Sequence, residues 1–146
     1  MPTLTTQEMK KALAQAGFLV FRTQGDDVIL AERVRENLIM DSGVRLRSGS
    51  PLVVRVILRA QRGDFPSDSD VDLFERVNRL AEPARTNGFT EVERHVAPVA
   101  DPGDPTRVLD TFYEITLSRD AEDLEHALDG LRVAMGLEKT VSVKSA

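Results

Sequence analysis

The sequence predicts an α+β fold: an antiparallel sheet with helices packed on it, its elements in the order α-β-β-β-α-β-β-α. Three observations predict it. Segments near residues 5–16, 69–86 and 120–135 repeat apolar residues at the helical period. Leu52–Gln61 alternates apolar residues at the strand period. Short turn clusters separate the other extended runs, which makes neighbouring strands hairpins and therefore antiparallel.

The first helix has a clear start. Thr5 is a natural N-cap with Glu8 three residues on, a capping box, and Leu4 and Met9 stand where a hydrophobic staple would place them. Met9, Leu13 and Ala16, with Ala12 beside them, form one stripe, and Gly17 suits the left-handed position that ends a helix. Phe18-Leu19-Val20-Phe21 is apolar on both faces, the pattern of a strand that is central or covered twice. Gln24-Gly25-Asp26-Asp27 is a turn, after which Val28–Ala31 runs extended toward Val34. Leu30, Val34 and Leu38 also fit a helix ending at Gly43, although the β-branched start favours strand. Asp41-Ser42-Gly43 and Ser48-Gly49-Ser50-Pro51 are turn clusters, so residues 34–47 could form a second hairpin.

In the strand Leu52–Gln61, Leu52, Val54, Val56, Leu58 and Ala60 face the core. A second helix follows, capped by Ser67 or Ser69, with acids in its first turn where the helix dipole favours them. Its buried side is Val71, Phe74, Val77 (or Leu73), Leu80, Ala81 and Ala84, and Pro83 must kink or end it near Glu82. Strands at about 89–97 and 107–117 come next, joined by a loop, 98–105, expected to be exposed and mobile. In the latter strand Leu109, Thr111, Tyr113, Ile115 and Leu117 share one face, and Val108, Asp110, Phe112 and Glu114 the other. The last helix starts at Ser118 or Asp120 and buries Leu124, Leu128, Leu131 and Met135. The expectation is a single domain over 1–138 and a short polar tail, 139–146, that frays.

Composition narrows the function. A chain of 146 residues can bury a core without crosslinks, and with no cysteine it has neither disulfides nor thiolate chemistry. The opening Met1-Pro2-Thr3-Leu4-Thr5 does not read as a secretory signal, and no apolar stretch approaches the ~20 residues of a membrane span. The expected location is cytoplasmic. The net charge is −5, with positive residues concentrated before residue 63 and acids after it. That balance disfavours direct binding to phosphate backbones and favours a basic protein partner, a class that includes nucleic-acid-binding proteins.

The motifs of catalysis are missing. Asp68-Ser69-Asp70-Val71-Asp72 resembles a calcium loop, but Leu73 and Arg79 stand where glycine and glutamate are needed. His95 and His126 lie on different elements with no metal-ligand spacing. There is no phosphate-cradling glycine motif and no nucleophile elbow. Glu91, Glu93, Asp110 and Glu114 read as the wet face of a sheet, although two of them could pair across strands. No catalytic residue, cofactor site or metal site is expected. The chain reads as a non-enzyme.

The most suggestive surface is the outer face of Leu52–Gln61, where Val53 and Ile57 alternate with Arg55 and Arg59. Val108 and Phe112 extend it from the last strand. Apolar residues interleaved with arginine are typical of protein interfaces, and self-association is the commonest form. These six residues are the expected partner or dimer interface. A nucleic-acid surface is the alternative, with Arg33, Arg35, Arg45, Arg47, Arg55 and Arg59 gathered on one side of the sheet. Single-strand binding also needs exposed aromatics, and only Phe112 suits.

The parts Thr5–Ala16, Phe18–Gln61, Ser69–Thr86, Phe89–Leu117 and Asp120–Met135 follow the order of the YbjN family and the type III secretion chaperones, which this chain resembles in topology, size and acidity. Val34–Pro51 and Pro83 depart from that pattern. The resemblance implies a bacterial type of fold and a small homodimer, a chaperone-like adaptor that holds a client protein or serves a stress response, without enzymatic activity.

Overall fold

The computed structural model describes residues 4–143. The first helix, α1 (Thr6–Gln15), forms as its sequence dictates: Thr5 accepts from the Glu8 amide and Glu8 reaches back to the Thr5 amide, each at 3.1 Å. Met9 and Leu13 are buried, Ala16 is exposed, and Gly17 takes a φ of 93°. Strands β1 (Val20–Gln24), β2 (Asp27–Arg35), β3 (Leu38–Arg47) and β4 (Leu52–Gln61) follow. A short 3-10 turn at Arg62–Asp64 leads to α2 (Asp70–Leu80) and α3 (Glu82–Thr86). Then come β5 (Thr90–Asp101), β6 (Asp104–Ala121) and α4 (Leu124–Gly136). The fold is thus α+β, with one strand more before α2 than the sequence suggested.

Hydrogen-bonded neighbours in the sheet follow the order β1-β2-β3-β4-β6-β5. The pairings from β1 to β4 are antiparallel. On the other side of β4 the partners run backwards, Arg59 meeting Glu114 while Gln61 and Gly63 meet Asp110, so β6 is antiparallel as well. Phe18–Phe21, expected to be central or covered twice, leads into the edge strand β1, with Leu19 40% exposed. Apolar residues on both faces suit an edge when a helix covers one side, and α1 lies against β1 and β2.

The chain folds as two compact units. Unit 1 runs to Val56 and takes in Ser118–Leu137. Its core face carries Val28, Leu30, Val44, Leu46, Val54 and Val56, all fully buried together with Met9, Leu13, Ala127, Leu131 and Ala134 of the helices. Each buried valine or leucine contributes on the order of 1.5–3 kcal/mol. Gly130 allows α4 to sit this close, since a Cβ there would lie 3.2 Å from Val54 Cγ2. The helix begins later than expected, at Leu124 with Asp123 as cap, because β6 continues to Ala121. Leu131 is fully buried, while Leu124, Leu128 and Met135 are half-buried.

The ambiguous stretch 28–47 is a β2–β3 hairpin, not a helix, and it turns at Glu36-Asn37. Asp41-Ser42-Gly43, a turn by composition, is an irregularity inside β3. There Ser42 Oγ donates to the Leu30 carbonyl and accepts from the Val44 amide, Asp41 accepts from the Gly43 amide, and Gly43 adopts a φ of 81°. Turn chemistry here makes a β-bulge.

Unit 2 comprises Ile57–Leu117 and the chain from Glu138 on. Ser69 caps α2, Leu73 and Val77 face the core, and Val71, expected there, is 72% exposed. The helix stops at Leu80, and Pro83 falls in the first turn of α3, where its missing N–H costs nothing. The expected loop 98–105 is largely strand: β5 and β6 run to a two-residue connection at Pro102-Gly103. The tail expected to fray is docked. Arg59 donates its amide to the Lys139 carbonyl and accepts from the Val141 amide, each at 2.9 Å, and Val141 is buried. Residues 144–146 lie outside the described residues.

Candidate functional site

β4 carries the expected alternation throughout: Leu52, Val54, Val56, Leu58 and Ala60 are buried, and Val53, Arg55, Ile57, Arg59 and Gln61 are half-buried. Its outer face divides between the units, Val53 and Arg55 in the first, Ile57 and Arg59 in the second.

In unit 2 the structure brings Arg59 and Phe112 together, with the guanidinium carbon 4.9 Å from the ring centroid. It adds Glu114, which sequence reading left on the wet face, and His95, which it read as a lone strand histidine. Arg59 Nη2 lies 3.0 Å from Glu114 Oε2, and His95 Nε2 lies 2.9 Å from Glu114 Oε1. Glu114 is 8% exposed, so it is a buried acid shared by two bases. The alternation of β6 places Glu114 on the outer face, but burial there depends on Arg59 and His95 converging from other strands, which no local pattern encodes. His95 Nδ1 also faces Glu93 Oε1 at 3.7 Å. His126 stays apart in unit 1, 3.1 Å from Asp123. Among the described residues, no group of three or more His, Cys, Asp or Glu could hold a metal ion.

Beside this cluster, Asp110 accepts from Gln61, from the Gly63 amide at 3.0 Å and from the Thr111 amide at 2.7 Å. The Gln61 bond foremost, helped by the two amides and Arg62, holds its carboxyl below the ordinary carboxylate value. Arg62 stacks on Tyr113, bonds its hydroxyl at 2.9 Å and pairs with Asp70 at 2.6 Å, pinning the start of α2 to β6. This part of unit 2 is a closed polar frame.

In unit 1 the outer face is built in rows across β2, β3 and β4. Asp27, Arg47 and Val53 form one row, and Ile29, Arg45 and Arg55 the next. Arg47 binds Asp27 through two bonds at 3.0 and 3.1 Å, and Arg45 binds Asp41 at 2.9 Å. Arg33 donates to the Glu36 carbonyl at the hairpin turn. The arginines considered for nucleic acid are therefore mostly engaged, with Arg59 on Glu114 in unit 2.

Exposed apolar residues concentrate elsewhere. Of twelve large apolar residues that are exposed among the described residues, four lie on the β2–β3 hairpin (Val34, Leu38, Ile39, Met40) and five on β5–β6 (Val92, Val96, Val99, Val108, Leu109). Val108, 56% exposed, belongs to this second arm and stands four residues, about 13 Å of strand, from Phe112. Sequence reading left 34–47 open between hairpin and helix, and of the second arm it placed Val99 in a loop and singled out Val108 alone. The signal was present in Val92, set between Glu91 and Glu93, and in Val96 four residues on, on the same face of the predicted strand.

No helix among the described residues is long and apolar enough to cross a membrane. No family model, curated protein or solved structure matches this chain.

Proposed function

We propose that this chain is a non-enzymatic, cytoplasmic protein-binding homodimer, a chaperone-like adaptor that engages a client through its hairpin arms. One observation carries the reading: nine exposed valine, leucine, isoleucine and methionine side chains on two hairpins. Scattered exposed apolar residues mean little, but concentrated ones mark interaction surfaces. The chaperone-like fold of the type III secretion class and a role in stress responses belong to this proposal, supported by the element order. So does a basic client, itself of the nucleic-acid-binding kind. Residues 90–109 carry Glu91, Glu93, Asp101 and Asp104 against Arg94 and Arg107, an excess of two acids.

The interface first expected, Val53, Arg55, Ile57, Arg59, Val108 and Phe112, is kept in part. Val108 belongs to an arm. Phe112 is stacked on Arg59, so its substitution would disturb the fold as well as an interface. The cleaner probes are Met40→Asp and Val108→Asp, at positions 53% and 56% exposed. Light scattering on the wild type is expected to give a dimer. Each substitution should raise the dimer dissociation constant by at least about tenfold, the equivalent of about 1.4 kcal/mol, with the melting temperature unchanged. A wild type that stays monomeric at all concentrations overturns the dimer.

A further inference from the structure

The two carboxylates on the outer face of unit 1 are already spent. Asp27 gives both oxygens to Arg47, and Asp41 divides its oxygens between the Gly43 amide and Arg45. The guanidinium groups of Arg45, Arg47 and Arg55 are neighbours on this surface, with Arg22 across Ile29 at the far end of the Arg45–Arg55 row, where it lies over the Phe21 ring. Arg55 is the one left over, with no hydrogen bond or ion pair to any described residue.

The local geometry makes that remainder costly. Arg45 and Arg55 are direct partners in the β3–β4 register, and like charges opposite each other in a sheet repel. Arg45 Nη1 and Arg55 Nε are both buried with nothing to bond. A guanidinium has five donors in a fixed fork, and its stem here is held in the sheet, so it cannot swing fully into water. Arg55 as a whole is only half-buried, so part of its side chain stays within reach of solvent. Ile29 beside Arg45 is fully buried, so this row is flanked by an apolar residue where water competes poorly for the guanidinium.

We propose that the Arg45–Arg55 pair is a binding site for one oxyanion, a carboxylate or a phosphate, seated on the terminal nitrogens of Arg55. The fork of an arginine binds two oxygens of either group side by side. The negative charge also screens Arg55 from Arg45, offsetting the repulsion between the two guanidinium groups. A free phosphate-type anion and a carboxylate borne by a partner share this chemistry. The site does not depend on the dimer reading, because all of its residues lie in one unit of one chain.

The test is thermal unfolding at constant ionic strength, titrating inorganic phosphate in one series and acetate in another. A ligand present at ten times its dissociation constant should raise the melting temperature by about 4 °C in a chain of this size. Phosphate also stabilises folded proteins generally by exclusion from their surfaces, so the comparison with Arg55→Met decides. The rise should vanish in that variant, which in anion-free buffer should melt no lower than the wild type. In the wild type the Arg55 Nε–Hε resonance should move with the same anion dependence. A response to phosphate alone marks a tetrahedral anion, and a response to acetate marks a carboxylate. No rise with either anion, or an equal rise in Arg55→Met, overturns the site.

Discussion

Arg55 and Arg59 are the same residue type, four positions apart on the same face of the same strand, and they live in opposite circumstances. Arg59 has a buried carboxylate at 3.0 Å and an aromatic ring beneath it, and its main-chain N–H and C=O are both bonded by the tail. Arg55 faces another arginine. Strand alternation decides which way a side chain points but not what it meets. A charge-assisted bond contributes about 1.5–3 kcal/mol when the partner is present, and an orphaned buried donor costs about 1–3 kcal/mol when it is absent. Around Arg59 the outer face of unit 2 closes on itself, whereas around Arg55 that of unit 1 leaves a buried donor unpaired.

The sharpest way to break that contrast is to open unit 2. Glu114→Ala removes the acid that Arg59 and His95 share. Losing one member of a fully buried pair costs about 3–5 kcal/mol. Arg59 and His95 are 36% and 42% exposed, so water takes over part of the role. We expect a loss of about 2 kcal/mol in urea-denaturation stability. A loss under about 0.5 kcal/mol, the scale of an ordinary surface substitution, would mean that unit 2 is no more closed than unit 1.

The legibility of the two regions in the sequence differs for the same reason. The capping box at Thr5, the alternation of Leu52–Gln61 and the helix break at Pro83 were readable because each is a local rule with one outcome. The Asp41-Ser42-Gly43 bulge was not, since the same residues make a turn or a bulge and the choice is set by what lies across the ladder. Phe18–Phe21 looked central or covered twice because apolar residues on both faces say nothing about which strands flank them. Glu114 was assigned to the wet face because its burial comes from Arg59 and His95, distant in sequence. The tail at Lys139–Val141 docks through main-chain bonds that its polar side chains do not announce. Of the residues expected at an interface, Arg59 and Phe112 do lie together, the guanidinium over the ring. Apart from Val108 the arms escaped because their strands continue through turn-like composition.

A smaller effect is expected where the polar frame of unit 2 touches glycine. A Cβ on Gly63 would fall 2.6 Å from Asp110 Oδ2, closer than side chains tolerate. Asp110 cannot simply swing away, because Gln61, the Gly63 amide and the Thr111 amide all hold it. Gly63→Ala should therefore lower stability by about 1–2 kcal/mol, measured by denaturant unfolding. In the double variant with Asp110→Ala that penalty should shrink, since the obstacle is gone. An additive double variant would show that the glycine serves its backbone alone.

The smallest effect concerns acid. Asp110 is held below its ordinary value of 3.8, chiefly by Gln61, and Glu91 below 4.5, chiefly by Arg94. Both are in unit 2, whereas the lowered carboxyl of unit 1, Glu8, sits in the capping box of α1. A carboxyl whose folded-state value is depressed adds stability that is fully present above its unfolded value and disappears as pH falls through the folded one. The contribution of Asp110 should thus be intact near neutrality and should fade only below about pH 4. Asp110→Asn flattens that acid limb while lowering stability near neutrality. Hydrogen exchange in acid provides the regional reading: the Gly63 and Thr111 amides, which Asp110 accepts, should lose protection before the amides of β2 and β3. If both units loosen together, the polar frame of unit 2 is not where acid acts, and the difference between Arg59 and Arg55 is confined to their immediate neighbours.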